Sequence, residues 1–590
     1  MFPGLFLIKM YRHEDRNFMK NAAQAIWFAL LSLTLLLGIA MIALDYSTVC
    51  SKVDMIFHDP LKLLHFKEKY LSESKFLILK VAISGCAMVA ALGLLRWRAP
   101  MKRQIETACR EVTMGIRVCI TSYTSMDTFI LRTLIGILVI AFSVSLYFAV
   151  TTPIFIDEVV TFKDFTKNSI FVSVSYYPQP NNHVMFSLLT NIAYSISPFS
   201  PKISIRLINV ILSLATNLHF FRLSRKFLSD TASLISTTAF AFLFMNLLYS
   251  FQARGYEILL LSTIVVLYAM MQYVRNGGGK KYLVLYSMMS MVGFWTIPSF
   301  LYPFSILTGY AVLNLILNRR KDLVLQISMT VLLTGICTVL VYSPVLLISG
   351  VKSITGNYYT MPIPRSEVAA RLLPHFLSTA QWLVGLPSVY SSLAVVAAAL
   401  LILIVAVKTG NTVYNWLIVL LLSPPILLLI HSVIPFERTW VFLSIPLAIA
   451  IGRGAEKSGV LRRPLTLYPV ILLLVIGGTT VFTARHPEFY SRDYCLDELT
   501  QHIDISKSSS IVYDSDYDAE TFRFALFSQN PTLPYVPMMQ LTDSTLIDTF
   551  DILLVNKTHP FRTQAVEKHP LFTYTAASKC GSTLYIRAPR

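Results

Sequence analysis

The stretch DTFILRTLIGILVIAFSVSLYFAVTTPIFIDEVVTF, residues 127–162, decides what kind of chain this is. After Asp127 it runs to Val150 with Arg132 as its one charge. A helix of roughly 20 apolar residues is long enough to cross a bilayer. Pro153 then removes a backbone donor and stops the helix. Two acidic residues, Asp157 and Glu158, follow directly. Charges at the end of a span cost free energy unless water, a partner or a ligand compensates them.

The same apolar pattern recurs on both sides. Runs at 23–44, 76–96, 203–222, 231–249, 256–274, 281–299, 300–317, 323–349, 389–408, 413–433, 439–453 and 466–484 join 127–150. Together they make about thirteen spans by the ~20-residue rule. Of 590 residues, 55% are hydrophobic and 14% charged, where a soluble chain carries roughly 25% charged. With a mean hydropathy of +0.60, that balance excludes disorder and an all-soluble enzyme. The fold class expected is a polytopic α-helical membrane protein. The run 23–44 is too long for a signal-peptide core and reads as a retained helix.

A net charge of +18 would suggest nucleic acid, but the cations sit between the spans. With the N-terminus in the cytoplasm, alternate loops hold Arg96 to Arg117, Arg222 to Lys226, Arg275 to Lys281, Arg319 to Lys321, and Arg453 to Arg463. These are the basic loops of the positive-inside rule. The lysines of 45–75 weaken this register for the first hairpin only. The register puts 151–202, the Gln252–Tyr256 turn, 350–388, His431 to Trp440 and the tail after 485 on the outer face. The tail turns polar, with strand-like runs at 511–514, 551–556 and 583–587 around a helix at 519–527, and reads as a small α/β domain. The domains expected are 1–126, two extra helices and a basic loop; 127–484, the catalytic part; and 485–590, the outer-face domain. Cys495 and Cys580 share the outer compartment, where they either pair or stay as thiols.

Asp157 stands where a helix N-cap would, and capping is its structural alternative. A proline-stiffened polar loop, 176–183, then opens into an interfacial helix from Val184 to Ile196, with Asn182 as its cap. Asn181, Asn182 and His183 either line a sugar or acceptor pocket or only cap that helix. Arg254 and Arg438 are outer-edge guanidiniums, suited to gripping phosphate bidentately or to snorkelling at helix ends. Tyr256 adjoins Arg254 and can position it or belong to the aromatic belt. Lys202 and Arg206 read as ordinary helix-end charges, and His431 and Glu437 flank the late outer loop.

The order of these elements resembles the GT-C superfamily of polyprenyl-phosphate-sugar-dependent glycosyltransferases. Within it, the chain is similar to the branch of protein O-mannosyltransferases and the lipid A aminoarabinose transferase. The features that carry the resemblance are Asp157-Glu158 after a span, the Arg254-Gly255-Tyr256 turn and the Pro435 to Arg438 element, over about 127–484. The resemblance implies that Asp157 is the general base and that Glu158 orients the acceptor or the base. It also implies that Arg254, Arg438 and Tyr256 hold the donor phosphate. The reaction expected is transfer of a single sugar to an acceptor hydroxyl by inverting displacement, at the periplasmic face of a bacterial inner membrane, with the endoplasmic reticulum as the other location. The partners expected are the lipid-linked donor, a lipid, glycan or protein acceptor, and the bilayer, with no nucleic acid. No cofactor is signalled and a divalent metal stays open. The alternatives are a transporter or lipid flippase, whose ion coupling would need acidic residues within the spans, and a GT-C-like glycan ligase using Arg365, Arg371 and His375.

Overall fold

The computed structural model describes residues 34–35, 38–39, 41–56, 72–96, 126–178, 180–197, 199–356, 361–459 and 466–500. In the tail it describes 511–513, 516–529, 538–540, 552–556, 572–577 and 582–587. Most of the expected span 23–44, the basic segment 97–125 and Cys580 lie outside the described residues. Cys495 is disulfide-bonded. The chain divides into two compact units, Met1–Leu131 and Arg132–Arg590. In the first, the helices Tyr46–Ile56 and Glu73–Arg96 meet through Val53 and Phe76.

Among the described residues, nine helices are long and apolar enough to cross a membrane. The central one is Tyr256–Arg275, with 83% of its apolar window buried inside the protein. Lys321–Leu346 and Leu467–Phe489 are peripheral, each with 17% buried. They present side chains such as Leu332 and Leu473 outward. Such apolar faces would be a liability in water and are at home in lipid.

Three of the expected spans differ for local reasons, and a fourth, 23–44, lies mostly outside the described residues. The run 231–249 breaks at Leu243, whose extended backbone separates Asp230–Phe242 from Phe244–Tyr249. Its side chains from Ala232 to Tyr249 are buried, so their hydropathy reflects protein core. Lys280–Thr296 stops at an extended Ile297, the conformation a following proline imposes, here Pro298. The run 439–453 is a 3-10 helix, Glu437–Leu443, joined to Ser444–Lys457.

The loop after Thr128–Thr151 folds as a short helix Ile156–Val160, a π-helical turn Thr161–Thr166, and helices Ile170–Ser175 and Val184–Ile196. Two expected caps are corrected. The residue at the first cap is Phe155, so Asp157 lies inside the first turn. His183 occupies the second cap position, and Asn182 instead donates to the carbonyls of Ser173 and Tyr176 at 3.0 and 2.8 Å.

In the tail, β1 (Ile511–Tyr513), β2 (Met538–Gln540), β3 (Ile552–Asn556), β4 (Phe572–Ala577) and β5 (Ser582–Arg587) form a sheet ordered β2-β1-β3-β5-β4. β1 runs parallel to β2 and β3, while β5 runs antiparallel to β3 and β4. The crossover helix Asp516–Gln529 seats Phe524 in a core with Ile154, Val159, Phe162 and Phe186. Lys163 pairs with Glu520 at 2.5 Å. The tail therefore braces the loop that carries Asp157.

Candidate active site

The site is built on a buried ion pair. Arg206, on the helix Pro201–Ser224, and Glu158 both have fully buried side chains and meet at 2.6 Å. Arg206 Nε donates to Glu158 Oε1 at 2.9 Å and Nη2 to Oε2. The other donors go to the Ala149, Thr152 and Pro153 carbonyls and the Thr152 hydroxyl. Glu158 completes its acceptor set with the Ala253 N–H at 2.7 Å and the Phe155 N–H at 3.1 Å. A guanidinium has five N–H donors and a carboxylate about four acceptor positions, and here all are used. One pair thus ties together the end of a span, the loop after it and the turn carrying Arg254. Glu158 is thus committed to Arg206 and to these two backbone donors, which fixes the backbone on which Asp157 stands. Arg206, expected as a helix-end charge, is a missed member of the architecture.

With Glu158 committed inward, its neighbour Asp157 takes the open side, where 29% of its side chain is exposed. Arg438 Nη1 donates to Asp157 Oδ2 at 2.5 Å, and Arg254 Nη2 lies 4.0 Å from the same oxygen. Burial raises the Asp157 pKa, but the charges of Arg438 and Arg254 and the Arg438 hydrogen bond more than offset this, holding it below the usual aspartate value. Asp157 is therefore ionised at neutral pH.

Arg254 is 2% exposed and pinned. Its Nη1 donates to the Asn181 side-chain oxygen, to the Asn181 carbonyl at 3.2 Å and to the Thr161 hydroxyl at 3.3 Å. Asn209 holds the turn itself through the Arg254 and Gln252 carbonyls. His183 Nδ1 accepts the Gly255 N–H at 2.7 Å, and its Nε2 is 3.3 Å from Arg254 Nη2. Burial, then the charges of Arg254 and Arg438, depress the His183 pKa well below its ordinary value, leaving the ring neutral. A Cβ at position 255 would stand 2.5 Å from Thr296 Cγ2 and 3.0 Å from His183 Nδ1, so glycine alone permits this approach.

The structure thus brings Asp157, Arg254, Arg438, Asn181 and His183 together. Tyr256 is buried between Tyr249 and His183, with its ring 5.9 Å from the Arg438 guanidinium carbon. The Asn182 amide nitrogen is committed to the loop, and its side-chain oxygen is buried with no partner among the described residues. Elsewhere, His375 accepts from Trp440 at 2.8 Å, Arg371 pairs with Glu367, His431 meets Tyr302 at 2.9 Å and Glu437 accepts from Ser378 at 2.8 Å. The nitrogen Nε of Arg254 and that of Arg438 are buried with no partner among the described residues. A carboxylate open on one side and two guanidiniums with spare donors can together receive a proton and an anionic oxygen.

Neither a protein-family model nor a curated protein sequence matches the chain. Solved structures similar to it include ArnT from Cupriavidus metallidurans bound to undecaprenyl phosphate, 12% identical, with 79% of this chain and 100% of that one covered and a TM-score of 0.49. The archaeal oligosaccharyltransferase AglB from Archaeoglobus fulgidus, in complex with an inhibitory peptide and a dolichol-phosphate, is 10% identical, with 78% and 75% covered and a TM-score of 0.42. Arabinosyltransferase EmbB from Mycobacterium smegmatis is 12% identical, with 64% and 34% covered and a TM-score of 0.34.

Proposed function

We propose that the protein is an integral-membrane glycosyltransferase that moves one sugar from a polyprenyl-phosphate carrier to an acceptor hydroxyl on the outer face. The observation that carries this is a half-open carboxylate flanked by two guanidiniums, a few residues beyond the end of a membrane-length helix. An outward-facing enzyme has no supply of nucleotide sugars, so the sugar arrives on a lipid whose phosphate lies at headgroup level. In the transfer, the acceptor oxygen bonds to the anomeric carbon and its proton passes to Asp157. The bond from that carbon to the phosphate oxygen breaks, and its electron pair leaves with the phosphate. The leaving group, a phosphomonoester with a pKa near 6, needs positive charge more than a proton, and Arg254 and Arg438 supply it. A single in-line displacement with one base inverts the anomeric centre, unlike retention, which uses two carboxylates.

The distribution of basic loops supports placing the site and the tail domain on the non-cytoplasmic face, and the single Asn556-Lys557-Thr558 glycosylation triplet in the tail favours a bacterial inner membrane over an endoplasmic reticulum. Loss of the gene should make one polyprenyl-phosphate sugar accumulate and one surface glycan lose a residue, read by mass spectrometry of both pools. Unchanged pools, together with no transfer by the purified protein from any lipid-linked sugar, would refute the reading.

The residues do not fit a divalent metal. Among the described residues no group of three or more His, Cys, Asp or Glu side chains lies at ligand spacing. Asp157 faces two cations that repel a third, and Glu158 is consumed by Arg206. Transfer should therefore be unaffected by EDTA; a tenfold loss restored by magnesium or manganese would contradict this.

A further inference from the structure

Asp157 and its cations stand in an arrangement that opposes the proposed chemistry, because the base is held by the group that should hold the phosphate. Resting on the proposed function, we propose that Arg438 is a switch. It restrains Asp157 until a donor binds and then transfers to the donor's phosphate, so the acceptor meets a free base only when the donor is already in place.

The two guanidiniums are not equivalent. Arg254 is buried and fixed by Asn181 and Thr161, with His183 beside it. Arg438 is 27% exposed, and among the described residues Asp157 is its sole hydrogen-bond partner. Its guanidinium carbon lies 4.5 Å from the Phe436 ring centroid and 5.9 Å from that of Tyr256. Two aromatic faces give it a track along which to move without losing cation–π contact. A phosphate offers what one carboxylate oxygen does not, a bidentate match to a planar guanidinium.

The consequence for Asp157 follows from its surroundings. Arg438 faces it from the Glu437–Leu443 turn, Arg254 from the turn before Tyr256–Arg275, and Tyr490 from the end of Leu467–Phe489. Tyr490 is neutral, its pKa raised by burial, and the nearby His183 is neutral too. Phosphate binding thus neutralises the two charges that, among the described residues, stabilise the carboxylate, while burial continues to penalise it. Its proton affinity rises when a base is needed. As the phosphodiester becomes a phosphomonoester it gains negative charge and holds Arg438 through the reaction. When the lipid phosphate departs, Arg438 returns to Asp157 and drives the captured proton to solvent. The cycle conserves protons and needs no other group.

The test is carbodiimide labelling of Asp157, which requires the protonated carboxyl, followed against pH by mass spectrometry on the full-length protein in nanodiscs. Undecaprenyl phosphate is the probe, and native mass spectrometry reports its binding. The lipid should raise the labelling midpoint by about one pH unit or more, the scale of losing a guanidinium partner. Arg438→Gln should show a raised midpoint without lipid and little further rise with it, and Arg438→Lys should restore the lipid-dependent rise. Bound lipid with an unmoved wild-type midpoint would overturn the switch alone, as would a folded Arg438→Gln protein with the wild-type midpoint. Absence of lipid binding would overturn the donor reading and the switch with it.

Discussion

Asp157→Asn should lower sugar transfer by roughly 10²-fold or more, the usual worth of a positioned general base, while the protein inserts and folds as before. The substitution keeps the size of the side chain and its hydrogen-bonding oxygen, so Arg438 retains a partner. What is lost is the capacity to accept a proton as the acceptor's bond to the sugar forms. Asp157 and Arg438 both keep more than a quarter of their side chains exposed, so the partner that loses its opposite charge keeps access to water and is not left as a fully buried lone ion. Lipid-phosphate binding should be retained or tightened, since no carboxylate then competes for the guanidinium. Initial rates in a reconstituted assay, beside lipid binding on the same preparation, separate the two effects. Unchanged turnover would end the assignment of Asp157.

The shape of the membrane part was legible where hydropathy alone decides. Nine of the runs read as spans are helices long and apolar enough to cross. At 231–249 hydropathy does not tell protein core from lipid, because a segment enclosed by protein on all sides is as apolar as one facing lipid. It also ignores the backbone, so the extended residues Leu243 and Ile297 pass unseen within apolar runs. Proline at 298 was the visible signal for the second break.

At the site, the sequence offered residue types and sidedness, enough to nominate Asp157, Arg254, Arg438, Asn181 and His183, which the fold brings together. It did not offer direction. Asn181 and Asn182 are adjacent and alike, yet one meets Arg254 and the other ties down the loop, because successive side chains leave a turn on different sides. Asp157 and Glu158 divide in the same way, one toward the cleft and one toward the core. Arg206 was hidden for another reason. A cation one turn into a membrane helix reads as snorkelling, and its partner, 48 residues away, is near only after folding.

That division predicts opposite consequences for neighbouring acids. Glu158→Gln should destabilise the protein by about 3–5 kcal/mol, the cost of leaving one member of a buried ion pair without its partner. Gln can still accept a bond from Arg206 but cannot balance its charge, and its amide group presents donors where the Ala253 or Phe155 N–H also needs an acceptor. Arg206→Met should cost a similar amount, since a carboxylate would then be buried alone. The double variant Glu158→Gln/Arg206→Met should recover part of the loss, because a neutral pair is less costly to bury than either ion alone. Thermal unfolding of the detergent-solubilised proteins, with the yield of monodisperse material, measures all three. The folded fraction of Glu158→Gln should keep Asp157 and Arg438 and hence measurable transfer, whereas folded Asp157→Asn should not. A Glu158→Gln protein as stable as the wild type but inactive would return Glu158 to the chemistry and remove it from the frame.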